Sequence, residues 1–262
     1  MKICVLVKEV PDAAVQKRLD SNGRMDRSGE KNLNPYDTHA IEEAVRIKEG
    51  GAVQVDEVVA VSMGPDSADR AIRKAISLGV DRAVHLSDEA VQGSDVAATG
   101  YALAKALQRE NPDLVLLGQQ SDDGECYTIG AVVADYLQMP SLTQVIKMDV
   151  SGEALTCERQ AEYGYDTVEV QMPAVISVGD AINEPRYPSL KAIMGAKKKP
   201  VDKVTCGDLG IEADRVGEAG SKARWFTAED PPAKSAGEII EDEDTNETVE
   251  RIVAWLDERK LI

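Results

Sequence analysis

Histidine is nearly absent from this chain of 262 residues, with only His39 and His85 present. One lies in a helical pattern and the other in a buried-strand pattern, so a structural role is expected for both and general-base work for neither. Cysteine is equally thin. Cys4, Cys126, Cys157 and Cys206 are scattered with no C-x-x-C spacing, which argues against a zinc site or a disulfide framework and for small buried or half-buried thiols. No apolar run approaches the roughly 20 residues that a spanning helix needs. The segment Met1 to Lys8 is broken by charge too soon for a signal peptide, so the expectation is a chain without membrane insertion. Its expected compartment is the cytoplasm, or the mitochondrial matrix if the source is eukaryotic.

Positive charge is also in short supply. Lys and Arg number 30 against 47 Asp and Glu, and the resulting formal charge of −17 repels phosphate backbones, so no nucleic-acid partner is expected. Only Lys197-Lys198-Lys199 forms a basic run. It is too short for duplex binding, and a place at a helix C-terminus before Pro200 explains it. Among motifs, the Gly-x-Ser-x-Gly elbow, the Walker loop and His-Glu-x-x-His are all missing, and no catalytic side-chain set is expected. The Gly-x-Gly-x-x-Gly fingerprint is missing after the first strand too, so any bound nucleotide is held without it.

What is present is a regular alternation. An unbroken apolar run at residues 3–7 and similar runs at 58–61, 83–86 and 114–117 suit strands buried on both faces of a parallel sheet. Between them lie helical patterns with start signals: Asn34-Pro35-Tyr36-Asp37 ahead of Ala40, Ile41 and Ala44, then Pro65-Asp66-Ser67, then Ser94 or Asp95. After Pro140, alternating segments around Ser151-Gly152 read as antiparallel hairpin strands, and residues 173–178 return to a buried strand. The expected fold is α/β, a doubly wound, Rossmann-like parallel sheet with added hairpin strands. A nucleotide-binding domain is expected over 1–200. An extended arm follows over 201–262, acidic from Glu238 to Glu250, with a short helix around Val249 to Leu256.

In such a sheet, ligands lie at the carboxyl ends of the strands, where strand order reverses. The segments expected to meet there are Val7-Lys8, Asn34 to Asp37, Ser62-Met63-Gly64-Pro65, and the turn Gly118-Gln119-Gln120-Ser121-Asp122-Asp123-Gly124-Glu125. That turn leads into a helix expected from Cys126 to Leu137, opening with Cys126, Tyr127, Thr128 and Ile129. A helix N-terminus after a glycine-bearing turn suits a phosphate, and Thr128 adds a hydroxyl. Asp122, Asp123 and Glu125 are acceptors suited to ribose or adenine but repel phosphate. The residues alone leave open an ordinary capped turn. A second segment, Asn183 to Pro200, carries Pro185, Arg186 and Tyr187 in a proline-stiffened stretch, followed by Leu190, Ile193 and Met194 over about two helical turns. A preorganised apolar anchor of this kind suits protein docking.

Over essentially its whole length the sequence resembles the small (beta) subunit of the electron transfer flavoproteins. The stretches that carry the resemblance are Val-Leu-Val-Lys at 5–8, Asn-Pro-Tyr-Asp at 34–37 with Ala-Ile-Glu-Glu-Ala-Val-Arg at 40–46, and Leu-Val-Leu-Leu-Gly at 114–118. The most specific is Asn-Glu-Pro-Arg-Tyr-Pro-Ser-Leu at 183–190 with Ile-Met-x-Ala-Lys-Lys-Lys at 193–199. The resemblance implies AMP bound at Val7, Lys8, Asn34 to Asp37, Met63 and Gly118 to Ile129, with the redox FAD mainly on a larger alpha subunit. It also implies a docking loop at 183–199 with Leu190 as its anchor. The partners it implies are the alpha subunit, acyl-CoA or other flavin dehydrogenases as electron donors, and a quinone oxidoreductase or another acceptor.

Several positions depart from the family's pattern. Tyr127-Thr128-Ile129 stands where AMP-binding members resemble Asn-Gln-Thr, which redraws part of the phosphate contacts. Gln160 replaces a carboxylate that tethers alternative domain positions, and Ala13 replaces an aromatic that some members bring toward the flavin. An electron-bifurcating branch binds a second FAD in place of AMP and tends to read Asn-Pro-Asp-Asp. Tyr36 favours AMP here. The alternatives from other classes are a stand-alone nucleotide-binding α/β enzyme, which needs a phosphate motif this chain lacks, and a nucleotide sensor.

Overall fold

The computed structural model describes residues 1–21, 23–223, 228, 229, 232, 237, 239 and 244–262. The chain divides into two compact units, Met1–Ala228 and Glu229–Ile262. The first unit opens with β1 (Lys2–Leu6), β2 (Glu9–Pro11), β3 (Lys31–Leu33), α1 (Pro35–Gly50) and β4 (Glu57–Met63). It continues through α2 (Asp69–Ser77), β5 (Arg82–Leu86), α3 (Val96–Glu110), β6 (Leu114–Gly118) and α4 (Ile129–Leu137). Then come β7 (Ser141–Ser151), β8 (Ala154–Ala161), β9 (Gly164–Gln171), β10 (Ala174–Val178), α5 (Leu190–Ala196), β11 (Val201–Val204) and the short α6 (Gly217–Gly220).

The main sheet has nine strands in the order β11-β5-β4-β1-β6-β10-β7-β8-β9. The strands from β11 to β7 are parallel, and β8 and β9 add to that edge as antiparallel neighbours. This is the expected doubly wound α/β sheet with hairpin strands. Its cause is visible in β1, whose side chains alternate between two apolar layers. Ile3, Val5 and Val7 pack with Ile41 and Ala44 of α1 and Ile72 and Ala75 of α2, while Cys4 and Leu6 pack with Leu107 of α3 and Val133 of α4. Burial on both sides explains why the strand sequences are apolar without alternation. Chain order runs outward from β1 through β4 and β5, then jumps to β6 on the other side of β1. The crevice beyond the carboxyl ends of β1 and β6 is therefore the switch point of the sheet.

Two local expectations need correction. The helix placed at Cys126 begins at Ile129, because Glu125 and Tyr127 adopt left-handed backbone angles, φ 47° and φ 55°, that an α-helix cannot contain. Asn34 precedes α1 but its side chain does not cap it, being committed elsewhere as described below. By contrast α3 is capped as expected. Asp95 Oδ1 accepts from Ala98 N–H at 2.9 Å, while its Oδ2 accepts from Lys222 and Ala223 N–H at 2.6 and 2.9 Å. Replacing Asp95 with Ala is expected to cost about 1–2 kcal/mol, with Asp95→Asn retaining most of that. Thermal melts of the two variants compare directly.

Residues 201–220 belong to the first unit, where β11 pairs with β5 and Val216 is buried in the core. In the second unit, α7 (Thr245–Glu258) is longer at both ends than the helix expected from Val249 to Leu256. Val249, Ile252, Val253 and Trp255 are exposed on it. Trp225 and Phe226 lie outside the described residues. No described helix is long and apolar enough to cross a membrane.

Candidate functional site

The segments expected at the switch point do meet there, and Asn34 joins them. Its N–H donates to Lys8 O at 2.9 Å, which ties the start of α1 to the chain leaving β1. Its side-chain amide donates to Asp37 Oδ1 and to Gln120 O, both at 2.8 Å, and its Oδ1 accepts from Asp122 N–H at 3.1 Å. Asn34 is 1% exposed, so one buried amide links β1, α1 and the loop after β6. Asp37 completes the link by accepting from Lys8 N–H at 2.8 Å. Burial pushes its carboxyl up to about 7, against the hydrogen bonds from Asn34, Lys8 and Gly118 that pull it down. Gly118 allows this packing because a Cβ there would lie 2.6 Å from the Tyr36 carbonyl carbon.

The acidic turn is built differently from expectation. Asp123 was expected as a free acceptor for a ligand, yet its side chain is 0% exposed and held between two cations. Lys8 Nζ reaches its Oδ1 at 2.7 Å and Arg27 Nη2 its Oδ2 at 2.6 Å. Burial alone raises such a carboxyl, but the Lys8 and Arg27 charges outweigh it and hold Asp123 below its ordinary value. Asp122 is likewise paired with Lys17 at 3.0 Å. Only Glu125 keeps a carboxylate with no partner among the described residues. Lys17 and Arg27 escaped the sequence analysis. The signal available was a local excess of basic residues, Lys17, Arg18, Arg24, Arg27 and Lys31 against Asp20, Asp26 and Glu30, inside a strongly acidic chain.

Ser121 O closes the turn by accepting from Gly124 and Glu125 N–H at 3.2 and 2.9 Å. From there the backbone donors are unused. Among the described residues no acceptor is found for the N–H groups of Cys126, Tyr127, Thr128, Ile129, Gly130 and Ala131. Tyr127 in the left-handed region followed by Thr128 at φ −109°, ψ −10° turns successive N–H groups toward a common side, and the positive end of α4 adds to the effect. In the same loop Gln120 is 8% exposed and its Oε1 has no hydrogen-bond partner. Unused donors and an unpartnered buried acceptor in one loop fit a ligand that offers an anion at one end and N–H or O–H donors at the other. Nearby, Lys8, Arg27, Lys31, Met63 and Pro65 line a cleft of about 120 Å³. A larger groove of about 550 Å³ lies at the amino ends of the strands. Its Asp56 and Asp113 are already bonded to the N-terminal amine and to Lys2 N–H.

Ser121 Oγ lies 3.2 Å from Lys8 Nζ, but that amine is engaged by Asp123 at 2.7 Å. His39 is on α1, where its Nδ1 lies 3.0 Å from Asn183 O, and His85 Nε2 lies 3.0 Å from Gly64 O. Among the described residues no cluster of His, Cys, Asp or Glu is suited to a metal ion.

The second segment leaves β10, crosses α1 and ends in α5. Tyr187, Leu190 and Met194 are 95%, 75% and 66% exposed, and Ile193 is also exposed. Ser189 caps α5 by accepting from Ala192 N–H at 3.2 Å. The last carbonyl of that helix, Ala196 O, is met by Arg73 of α2 at 3.0 Å, and the same guanidinium reaches Lys199 O beyond the helix at 2.7 Å, so Arg73 and not the triple lysine meets that helix end. Pro185 is half-buried, and the Arg186 side chain is turned back onto α1.

Comparison with known proteins agrees with this architecture. The family model for the electron transfer flavoprotein domain matches residues 23–209. The electron transfer flavoprotein subunit beta of Mycobacterium tuberculosis is 42% identical over 99% of both chains. The Bos taurus subunit beta is 36% identical over 98% of this chain and 97% of its own. The Acetobacterium woodii subunit CarD of the Caffeyl-CoA reductase-Etf complex is 35% identical over the full length of both. This chain therefore belongs to the electron transfer flavoprotein family as a beta subunit, an electron-carrier subunit rather than an enzyme.

Proposed function

We propose that this beta subunit holds AMP as a structural ligand in the crevice at the switch point and docks flavin dehydrogenases through the exposed Leu190 segment. The observation that carries the nucleotide assignment is the row of unused N–H groups from Cys126 to Ala131, in the same loop as the unpartnered Gln120 Oε1. Those N–H groups hold the phosphate, as helix N-termini and backbone nests do. Gln120 and Glu125 are the acceptors left for adenine or ribose donors, since Asp122 and Asp123 are neutralised by Lys17, Lys8 and Arg27. Val7, Met63 and the first turn of α1 form the remaining walls.

The alpha subunit carries most of the FAD, which stores electrons taken from a dehydrogenase and releases them to a quinone oxidoreductase or another acceptor. Exposed Val249, Ile252, Val253 and Trp255 on α7 support contact between the C-terminal unit and that larger chain. The compartment that suits this role is the cytoplasm, or the mitochondrial matrix in a eukaryote.

Co-purification with the alpha subunit, followed by denaturation and identification of the released nucleotides, is expected to give one FAD and one AMP per heterodimer. Two FAD would replace this reading with the bifurcating one, and FAD without AMP would remove the nucleotide assignment altogether. For docking, Leu190→Ala is expected to lower the rate of electron acceptance from a reduced acyl-CoA dehydrogenase by about 30-fold, a loss typical of an interface anchor. Its FAD and AMP content should be unchanged.

A further inference from the structure

Arg186 lies within the docking segment, yet its side chain is spent inside the subunit. Its Nε donates to Glu42 Oε2 at 2.7 Å and its Nη2 to Glu42 Oε1 at 3.1 Å. Its Nη1 and Nη2 donate to Glu49 Oε1 and Oε2, both at 2.8 Å, and its backbone N–H reaches Glu42 Oε2 at 3.2 Å. Glu42 and Glu49 stand about two turns apart on one face of α1, so the planar guanidinium forks to two fixed points on a rigid helix. Arg46 also holds Glu42 at 3.0 Å, which fixes that carboxylate from its other side. Upstream, Asn183 donates to His39 O and Glu43 Oε2, both at 3.0 Å. The chain is thereby clamped to α1 at two places before it reaches the exposed anchor, and Pro188 further stiffens the residues between Arg186 and Leu190.

We infer that Arg186 is a positioning residue, which preorganises the docking segment by clamping it to Glu42 and Glu49 and makes no ion pair with the incoming protein. This rests on the proposed docking role of Leu190. A segment already ordered before encounter loses less conformational freedom on binding, so breaking the clamp weakens docking without touching the interface itself. Lysine cannot replace the fork, because a single ammonium reaches one carboxylate in place of two.

The test uses the complete heterodimer as electron acceptor for an acyl-CoA dehydrogenase held reduced by excess acyl-CoA. Variants are Arg186→Gln, Arg186→Lys, the double variant Glu42→Gln with Glu49→Gln, and Leu190→Ala as comparator. Arg186→Gln is expected to raise the KM for the heterodimer about tenfold with kcat within about twofold, the size of effect expected for loss of preorganisation. FAD and AMP content should stay at the parental level, and amide hydrogen exchange over residues 183–190 should quicken. The double glutamate variant should reproduce the KM rise, and Arg186→Lys should recover less than half of it. If the glutamate variant keeps the parental KM while Arg186→Gln does not, Arg186 contacts the dehydrogenase directly and the inference is overturned. It is overturned equally if Leu190→Ala impairs docking but Arg186→Gln changes neither KM nor exchange. If Leu190→Ala itself has no effect, the docking role fails first and independently of the clamp.

Discussion

Gly118→Ala is expected to destabilise the first unit by about 3 kcal/mol and to strip the nucleotide from the purified heterodimer. The added methyl would stand 2.6 Å from the Tyr36 carbonyl carbon, 2.7 Å from Tyr36 Cβ and 2.8 Å from Asp37 Oδ1. All three belong to the first turn of α1 where it touches the end of β6, and the two Tyr36 atoms are fixed by the backbone and cannot yield as a flexible side-chain tip would. Either α1 lifts or β6 shifts, and both motions separate the Asn34 and Asp37 hydrogen bonds that tie β1, α1 and the loop after β6 together. The effect should appear as a lowered melting temperature and as AMP missing after denaturation. A Gly118→Ala protein that melts with the parent and retains AMP would show that the close approach of α1 to β6 does not govern the crevice.

Asp123→Asn is expected to cost about 1–3 kcal/mol at neutral pH, the range for leaving buried polar partners unmatched. The figure lies at the lower end for a buried ion pair because Lys8 and Arg27 are about half exposed and return partly to water once released. The sign of the pH dependence follows from the carboxyl's direction. Its pKa in the folded protein lies below the ordinary 3.8, so its stabilising contribution is complete above that value and disappears as the pH falls through the lower folded pKa. The difference in melting temperature between parent and Asp123→Asn should therefore be widest near neutrality and close as the pH drops below 3.8. A difference that stays constant into strong acid would mean that the carboxylate charge contributes nothing. The same substitution releases Arg27 from the loop that follows β6, so proteolysis between residues 12 and 30 should accelerate.

The parts legible without coordinates were those whose physics is local in sequence. Apolar runs with no alternation can be buried on both faces only in a parallel sheet covered by helices, so β1, β4, β5 and β6 were readable as they stand. Pro35, Gly118 and the prolines flanking Arg186 constrain their own backbone, and the crevice segments and the exposed Leu190 segment could be located from them. The start of α4 was misplaced by three residues because Glu125 and Tyr127 take left-handed angles that no glycine or asparagine announces.

Charge pairing was beyond local reading. Asp123 meets Lys8 and Arg27 across 115 and 96 residues of chain, and Arg186 meets Glu42 across 144. Whether a carboxylate is a free acceptor or half of a buried pair depends on which strands are neighbours, and strand order follows from the crossovers taken together. By itself, then, the sequence determined a doubly wound sheet, the crevice at its carboxyl ends and an apolar segment around Leu190, because hydrophobic period and backbone restriction act over a few residues. The tertiary structure alone decided which charges remain for a ligand and which are consumed in holding the loops, because Coulomb attraction depends on distance in space and is indifferent to separation along the chain.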